Sequence, residues 1–330
     1  MTACEFNQLF GVAQLNEEVV TGLLETNEEG DRVYVGTVFS GDHWDATARV
    51  RAINPTTGAQ IATAPIYGGT HRYRAIAEDT SDDTVWMLRN NGTLDHRTKD
   101  LGYLSSIGSM FTAPGSGTLE RFCDLEQLPN GHFVATGVYS DGGNLRGFWN
   151  YVHPHPAIPG DWYSSWTSYG LDPLATVDQS CPRVSHETDS GQTVFLLPYR
   201  HFAGVTEHRV SRYEGHSWDG GNGNMYHGLS YVGHWTTPVL EKWLVADLTA
   251  EFGVVVVARQ HASDGTYGYL ELFEQDTGVS EDIYTLERAR AVDFALWPQT
   301  NADAASMLWW GGLETETGAS HELGALSFVE

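Results

Sequence analysis

Arg121-Phe122-Cys123-Asp124-Leu125-Glu126-Gln127-Leu128, then Pro129-Asn130-Gly131, then Phe133-Val134-Ala135-Thr136: this stretch decides the fold. A run with apolar residues meets a Pro-Asn-Gly turn and resumes as a second run of strong β-formers, which reads as a β-hairpin. The pattern recurs along the chain. Val19–Leu24 leads through Glu28-Glu29-Gly30-Asp31 into Val33–Val38. Tyr73–Ala77 leads through Asp79–Asp83 into Val85–Leu88, and Cys181–Val184 through Asp189-Ser190-Gly191 into Val194–Leu197. Trp243–Ala246 precedes Val254–Ala258, and Val292–Trp297 precedes Met307–Trp310.

The second strands begin at Val33, Val85, Phe133, Val194, Val254 and Met307, at intervals of 52, 48, 61, 60 and 53 residues. Most units continue into an alternating third strand, as in Ala48–Ile53, Leu145–Val152, His208–Tyr213, Tyr269–Phe273 and His321–Phe328. Short strands repeated at about this period are the mark of blades arranged radially. The chain therefore resembles a six-bladed β-propeller, an all-β fold, in architecture alone. It carries no Trp-Asp pair closing each unit, no kelch glycine series and no complete sialidase-type Asp box. The resemblance implies a single domain over 1–330, with blades near 17–70, 71–118, 119–176, 177–237, 238–286 and 287–330. The last unit has only three strands of its own. Phe6–Val12 is a spare strand ahead of the first unit, so residues 5–12 are expected to complete the last blade and remove an exposed edge.

Composition narrows the function. Eighteen basic residues face 43 acidic ones, a net charge of −25, which excludes bare nucleic acid as a partner because phosphate binding needs clustered Lys and Arg. Only Lys99 and Lys242 are lysines. An acid-rich, lysine-poor surface fits a salt-loving host, since molar salt shortens the Debye length to about 3 Å and screens self-repulsion. The longest clean apolar run, Val254–Ala258, is of strand length, so membrane insertion is not expected. The first residues contain no basic region followed by an apolar stretch, so no secretory signal is expected. Cys4, Cys123 and Cys181 form no CxxC pair and are expected to be free buried thiols.

Candidate site residues come from the ends of second strands, which a ring would bring toward one mouth of its channel. Arg89, Asp141, Tyr199, Arg200, His201, Arg259 and His261 combine planar donors, an acceptor and a stacking face, which suits a polyhydroxylated or acidic ligand. Trp44, Trp162, Trp166, Trp218 and Trp235 are candidates for stacking on sugar, with the stretches 161–166 and 216–226 as the alternative contact surface. His153-Pro154-His155 is the closest histidine pair, read as a surface feature whose proline aims both rings outward. Ser217–Asn224 is an Asp/Gly loop that reads as a tight turn before it reads as a calcium site.

No nucleophile elbow, P-loop, dinucleotide fingerprint or HExxH occurs, so no catalytic residue, metal or cofactor is assigned. The expected function is a non-catalytic binding or structural module. It would be a virion surface component, tail- or capsid-associated, engaging a host glycan or receptor or a neighbouring structural protein, and reaching the outside without a signal peptide. The alternative is a cytoplasmic metal-assisted hydrolase or lactonase working at the channel mouth.

Overall fold

The computed structural model describes the backbone of the strands given below and of several turns between them. It describes side chains for residues 31–36, 49–54, 57–64, 72–79, 81–108, 110–165, 182–186, 210–221, 223–235 and 277. Strand β1 (Ala3–Gly11) opens the chain. The first sheet follows as β2 (Glu18–Thr26), β3 (Val33–Phe39), β4 (Arg49–Ile53) and β5 (Gln60–Pro65). The second is β6 (Tyr73–Asp79), β7 (Thr84–Arg89), β8 (Leu94–Thr98) and β9 (Tyr103–Ile107). The third is β10 (Thr118–Gln127), β11 (Phe133–Asp141), β12 (Asn144–Pro154) and β13 (Trp162–Gly170).

The fourth sheet is β14 (Arg183–His186), β15 (Thr193–Leu197), β16 (His208–Asp219) and β17 (Met225–Thr237). The fifth is β18 (Trp243–Glu251), β19 (Val254–His261), β20 (Tyr267–Glu274) and β21 (Ser280–Glu287). The sixth holds β22 (Ala291–Trp297), β23 (Met307–Glu314) and β24 (Ser320–Val329), and its fourth member is β1, in the order β1-β24-β23-β22. Each of the other five is an antiparallel meander in chain order. The first strands touch in succession: β2 meets β6, β6 meets β10, β10 meets β14, β14 meets β18, β18 meets β22, and β22 meets β2.

The third sheet shows why such runs make strands. Along β11, Phe133 and Ala135 pack toward the second sheet with Phe122, Phe148, Val152, Leu88 and Leu94. Val134 lies on the other face, with Trp149, Tyr151, Val184 and Tyr213 of the third and fourth sheets. Both faces are covered, so the strand reads as a nearly continuous apolar run, and each fully buried Phe contributes about 1.5–3 kcal/mol. Edge-to-face contacts order the rings: Phe122 lies 6.1 Å from Phe111 and 6.0 Å from Phe148. Gly137 must lack a side chain, because a Cβ there would lie 2.6 Å from the Phe148 ring and 2.7 Å from the Arg121 carbonyl oxygen. The β11–β12 turn places Gly142 at φ 57° and Gly143 at φ 87°, the left-handed pair a two-residue hairpin loop requires.

Cys123 is disulfide-bonded rather than a free thiol; its partner lies outside the described side chains. Around it, β10–β11 and the β14 region are joined by polar bonds. The Val184 N–H donates to Asp124 Oδ2 at 2.9 Å, Arg183 Nη1 donates to the Cys123 carbonyl at 3.3 Å, and Thr136 Oγ1 donates to the Pro182 carbonyl at 2.6 Å.

Candidate functional site: an aromatic and histidine seam between the third and fourth sheets

The expected mouth residues fall into four groups. Arg89, at the end of β7, gives its guanidinium to Asp95: Nε and Nη2 reach Asp95 Oδ2 at 3.0 and 2.7 Å. The Asp95 side chain is fully buried and also accepts the Tyr73 hydroxyl at 2.5 Å, with Arg97 Nη2 at 3.7 Å. Burial, then the hydrogen bond to Asp95 and that residue's charge, push the Tyr73 phenol up to about 12. Arg89 therefore neutralises a buried carboxylate within its own sheet. Asp141 sits at the β11–β12 turn, 56% exposed, 3.4 Å from Arg146 Nε. Arg259 and His261 lie at the end of β19, opposite Ala246 and Trp243 of β18, with side chains outside the described set. Tyr199, Arg200 and His201 lie outside the described residues, as does Trp44.

At the other end of the third and fourth sheets, three turns converge. The β10–β11 turn is closed by Gly131 N–H on the Leu128 carbonyl at 2.8 Å, and the β12–β13 turn by His155 N–H on the Asp161 carbonyl at 2.8 Å. The β16–β17 turn is closed by Gly220 N–H on the Asn224 carbonyl at 2.9 Å and Gly221 N–H on Asp219 Oδ1 at 2.8 Å. Here the Asp/Gly loop satisfies itself as a turn, with Gly221 at φ 98° and Gly223 at φ 78°. Strands alternate in direction, so this end is opposite the one that carries Asp141.

The stretches 161–166 and 216–226, which sequence named as the alternative contact surface, meet here. The Tyr163 ring lies 4.7 Å from that of Tyr226, and Ser165 Oγ donates to the His227 carbonyl at 3.5 Å. On the hairpin, the rings of His216, Trp218 and Tyr226 run nearly parallel, with centroids 5.8 and 6.0 Å apart and tilts of 18° and 20°. Two glycines let these rings lie against backbone. A Cβ on Gly220 would sit 2.2 Å from the Tyr226 ring, and one on Gly228 would sit 3.2 Å from Trp218. Trp162 instead turns inward and packs on Phe133 at 6.0 Å, which removes it from the stacking candidates.

Beneath this surface lies a cluster that sequence did not find. His132, His153 and His227 form a triangle with ring centroids 5.4, 4.9 and 5.0 Å apart. His153 is 1% exposed, which overturns the reading that Pro154 aims its ring outward. Its Nδ1–H donates to the Pro154 carbonyl at 2.8 Å, and its Nε2 accepts the His227 backbone N–H from β17 at 3.1 Å. The Tyr151 hydroxyl takes Asn130 Nδ2–H at 3.3 Å and meets His132 Nδ1 at 2.8 Å, while Ser217 Oγ meets His227 Nδ1 at 2.9 Å. Burial first, then the neighbouring His227 and His153, pull the His132 imidazole down to about 4. Burial also lowers His153, helped by His227 and His155 and opposed by the Pro154 carbonyl. The pattern that places His153 inside was legible in principle: Trp149, Tyr151 and His153 alternate along β12, and the first two are large and apolar.

Among the described residues one group has metal-ligand spacing, Asp79, Asp82 and His96 around the β6–β7 turn. The Asp79 carboxylate already accepts the Ser81 N–H and O–H, Trp86 Nε1–H at 2.9 Å and Gln127 Nε2–H at 3.2 Å. Burial works to raise its pKa, yet these donors together hold it below the ordinary carboxylate value. His96 meets the Thr84 hydroxyl at 2.6 Å and stacks on Trp86 at 4.1 Å. This turn is stitched by its own hydrogen bonds.

No protein-family model matches the chain, and no curated protein sequence matches it. Among solved structures, the β-propeller domain of Cps50 (Swd1) from Myceliophteria thermophila is similar, with a TM-score of 0.52 over 98% of this chain and 100% of that domain, at 10% sequence identity. At that identity the likeness is one of fold: the chain has a β-propeller architecture.

Proposed function

We propose that the protein is a non-catalytic binding propeller whose six sheets are the blades of one ring, completed by β1 in the sixth. It is displayed on the outside of an assembly such as a virion, where it engages a glycan. Succession of contacts from β2 through β22 and back to β2 supports the ring. The observation that carries the binding reading is the near-parallel array of His216, Trp218 and Tyr226 on the hairpin tip, held flat by Gly220 and Gly228. Ring faces presented this way suit the apolar faces of sugars. A surface of net charge −25 favours neutral saccharides over polyanions. The disulfide at Cys123 fits an oxidising exterior.

The test is titration of neutral oligosaccharides against wild type, Trp218→Ala, and the double variant Arg200→Ala/Arg259→Ala. Loss of binding by about tenfold or more in Trp218→Ala, with unfolding unchanged, supports the hairpin surface. Loss confined to the arginine pair moves the contact to the expected mouth. Undiminished binding in both refutes the reading. Mass spectrometry of purified particles decides the virion placement.

A further inference from the structure

We propose that His153 is an acid-sensitive latch joining the third sheet to the fourth, which releases the β16–β17 hairpin from the β12–β13 turn when it takes up a proton. The inference concerns the joint between the sheets and stands whether or not the hairpin binds sugar.

The tautomer of His153 is fixed by its partners. A carbonyl only accepts, so the Pro154 oxygen requires hydrogen on Nδ1; a backbone amide only donates, so the His227 N–H requires a lone pair on Nε2. The single place left for an acid proton is therefore Nε2, where β17 donates. Adding it sets two donors against each other and breaks the bond between β12 and β17, leaving the longer contact of Ser165 Oγ with the His227 carbonyl at 3.5 Å. The charge so formed lies among imidazoles, with the rings of His132 and His227 at 5.4 and 5.0 Å.

No carboxylate answers that charge among the described residues. The groups facing His153 are Tyr151 and His155 from its own strand and turn, Tyr163 from β13, Tyr226 and His227 from β17, and His132 from the β10–β11 turn. The carboxylates Asp161 and Asp219 of the β12–β13 and β16–β17 turns accept backbone N–H groups of their own turns. The chain has 43 acidic residues, yet these three histidines gather where no described carboxylate meets His153. By contrast, His186 on β14 meets the carboxylate of Glu126 directly. The bonds from Arg183 and Thr136 between β10–β11 and the β14 region run to backbone carbonyls and involve no group that titrates in this range, so acid leaves them intact. Release is then a local opening of the outer seam rather than global unfolding.

Hydrogen exchange read by mass spectrometry tests this at about pH 7.5 and about pH 4.5, corrected for the intrinsic exchange rate. Protection of residues 226–229 is expected to fall by roughly tenfold for each pH unit over which the closed state keeps His153 neutral against its ordinary value. Protection in β11 is the internal control and is expected to fall by less than that of 226–229. His153→Gln offers an amide oxygen in place of Nε2 without a titration and is expected to remove the pH dependence. If that variant does not fold, wild type still decides. Equal corrected protection of 226–229 at both pH values overturns the latch, and so does a loss that β11 shares in full.

Discussion

Replacing Asp95 by alanine should damage the second sheet far more than any change at the exposed turns. The Asp95 side chain is 0% exposed and is the common partner of three groups: Arg89 through Nε and Nη2, the Tyr73 hydroxyl, and Arg97 at 3.7 Å. Arg97 is itself buried, with Nη1 on the Leu101 carbonyl at 2.7 Å and Nη2 on the Tyr73 hydroxyl at 2.9 Å. Its guanidinium cannot reach water when its counter-charge is removed. Breaking a buried ion pair from one side costs about 3–5 kcal/mol, because the abandoned charge stays desolvated. At about 2 °C per kcal/mol for a chain of this size, the melting temperature should fall by about 6–10 °C. Arg89→Ala should cost less, because Arg97 still faces the carboxylate. Asp141→Ala, which breaks only the exposed contact with Arg146, should cost under about 0.5 kcal/mol. Calorimetry on the three variants measures the ordering. An Asp95→Ala protein within about 1 kcal/mol of wild type would refute the buried-charge argument.

Gly137→Ala should destabilise by about 1–3 kcal/mol in denaturant unfolding, because its methyl would meet the Phe148 ring at 2.6 Å and a rigid carbonyl at 2.7 Å. His132 is held near 4 when folded and rises to about 6.5 when unfolded, so its contribution is present above about pH 6.5 and lost as pH falls toward 4. Allowing for its partial exposure, His132→Gln should remove about 1–2 kcal/mol of the acid-induced loss, read from unfolding midpoints across that window. Thiol titration of the denatured protein should find one reactive cysteine before reduction and three after, since Cys123 is disulfide-bonded and the chain has three cysteines; reduction should lower stability by about 2–4 kcal/mol. Deleting residues 1–12 removes the partner of β24 and should lower the melting temperature or cause aggregation; an unchanged melt would contradict the pairing of those strands.

The hairpins of the second and third sheets were legible because those sheets bury residues on both faces of their second strands. Phe133-Val134-Ala135 and Val85-Trp86-Met87-Leu88 carry that double burial in their composition, and β11 and β7 lie where the runs do. Outer strands were harder to read. Tyr103–Ile107 forms β9 with Tyr103 and Leu104 largely in solvent, so no alternation marks it. The site was legible only in part. Trp218 and Tyr226 stood out by residue type, whereas the triangle of His132, His153 and His227 depends on two sheets meeting, with members up to 95 positions apart in the chain. Arg89 stood out as a free cation at a strand end, because its partner Asp95 lies six residues on, across a turn, in a strand too short to show its buried face. The thiol reading failed for the same reason, since spacing along a chain says nothing of which cysteine another strand brings near.

The pairing of β1 with β24 also sets the order in which the chain can reach its native state. Asp141 meets Asn144 across a two-residue loop, and the other hairpins close over at most 15 positions, the span from Leu196 to Ser211. Ala3 must find Val329 from 326 positions away. Relative to closing a ten-residue loop, that search carries an extra entropic cost of about 3 kcal/mol. Local meanders therefore condense first, and the sixth sheet is the last to be completed. Until then β24 presents an unpaired edge and β1 an unpaired strand, each able to accept the other from a second molecule. Refolding yield should consequently fall with protein concentration, and the dimers that form should be exchanged at these two strands.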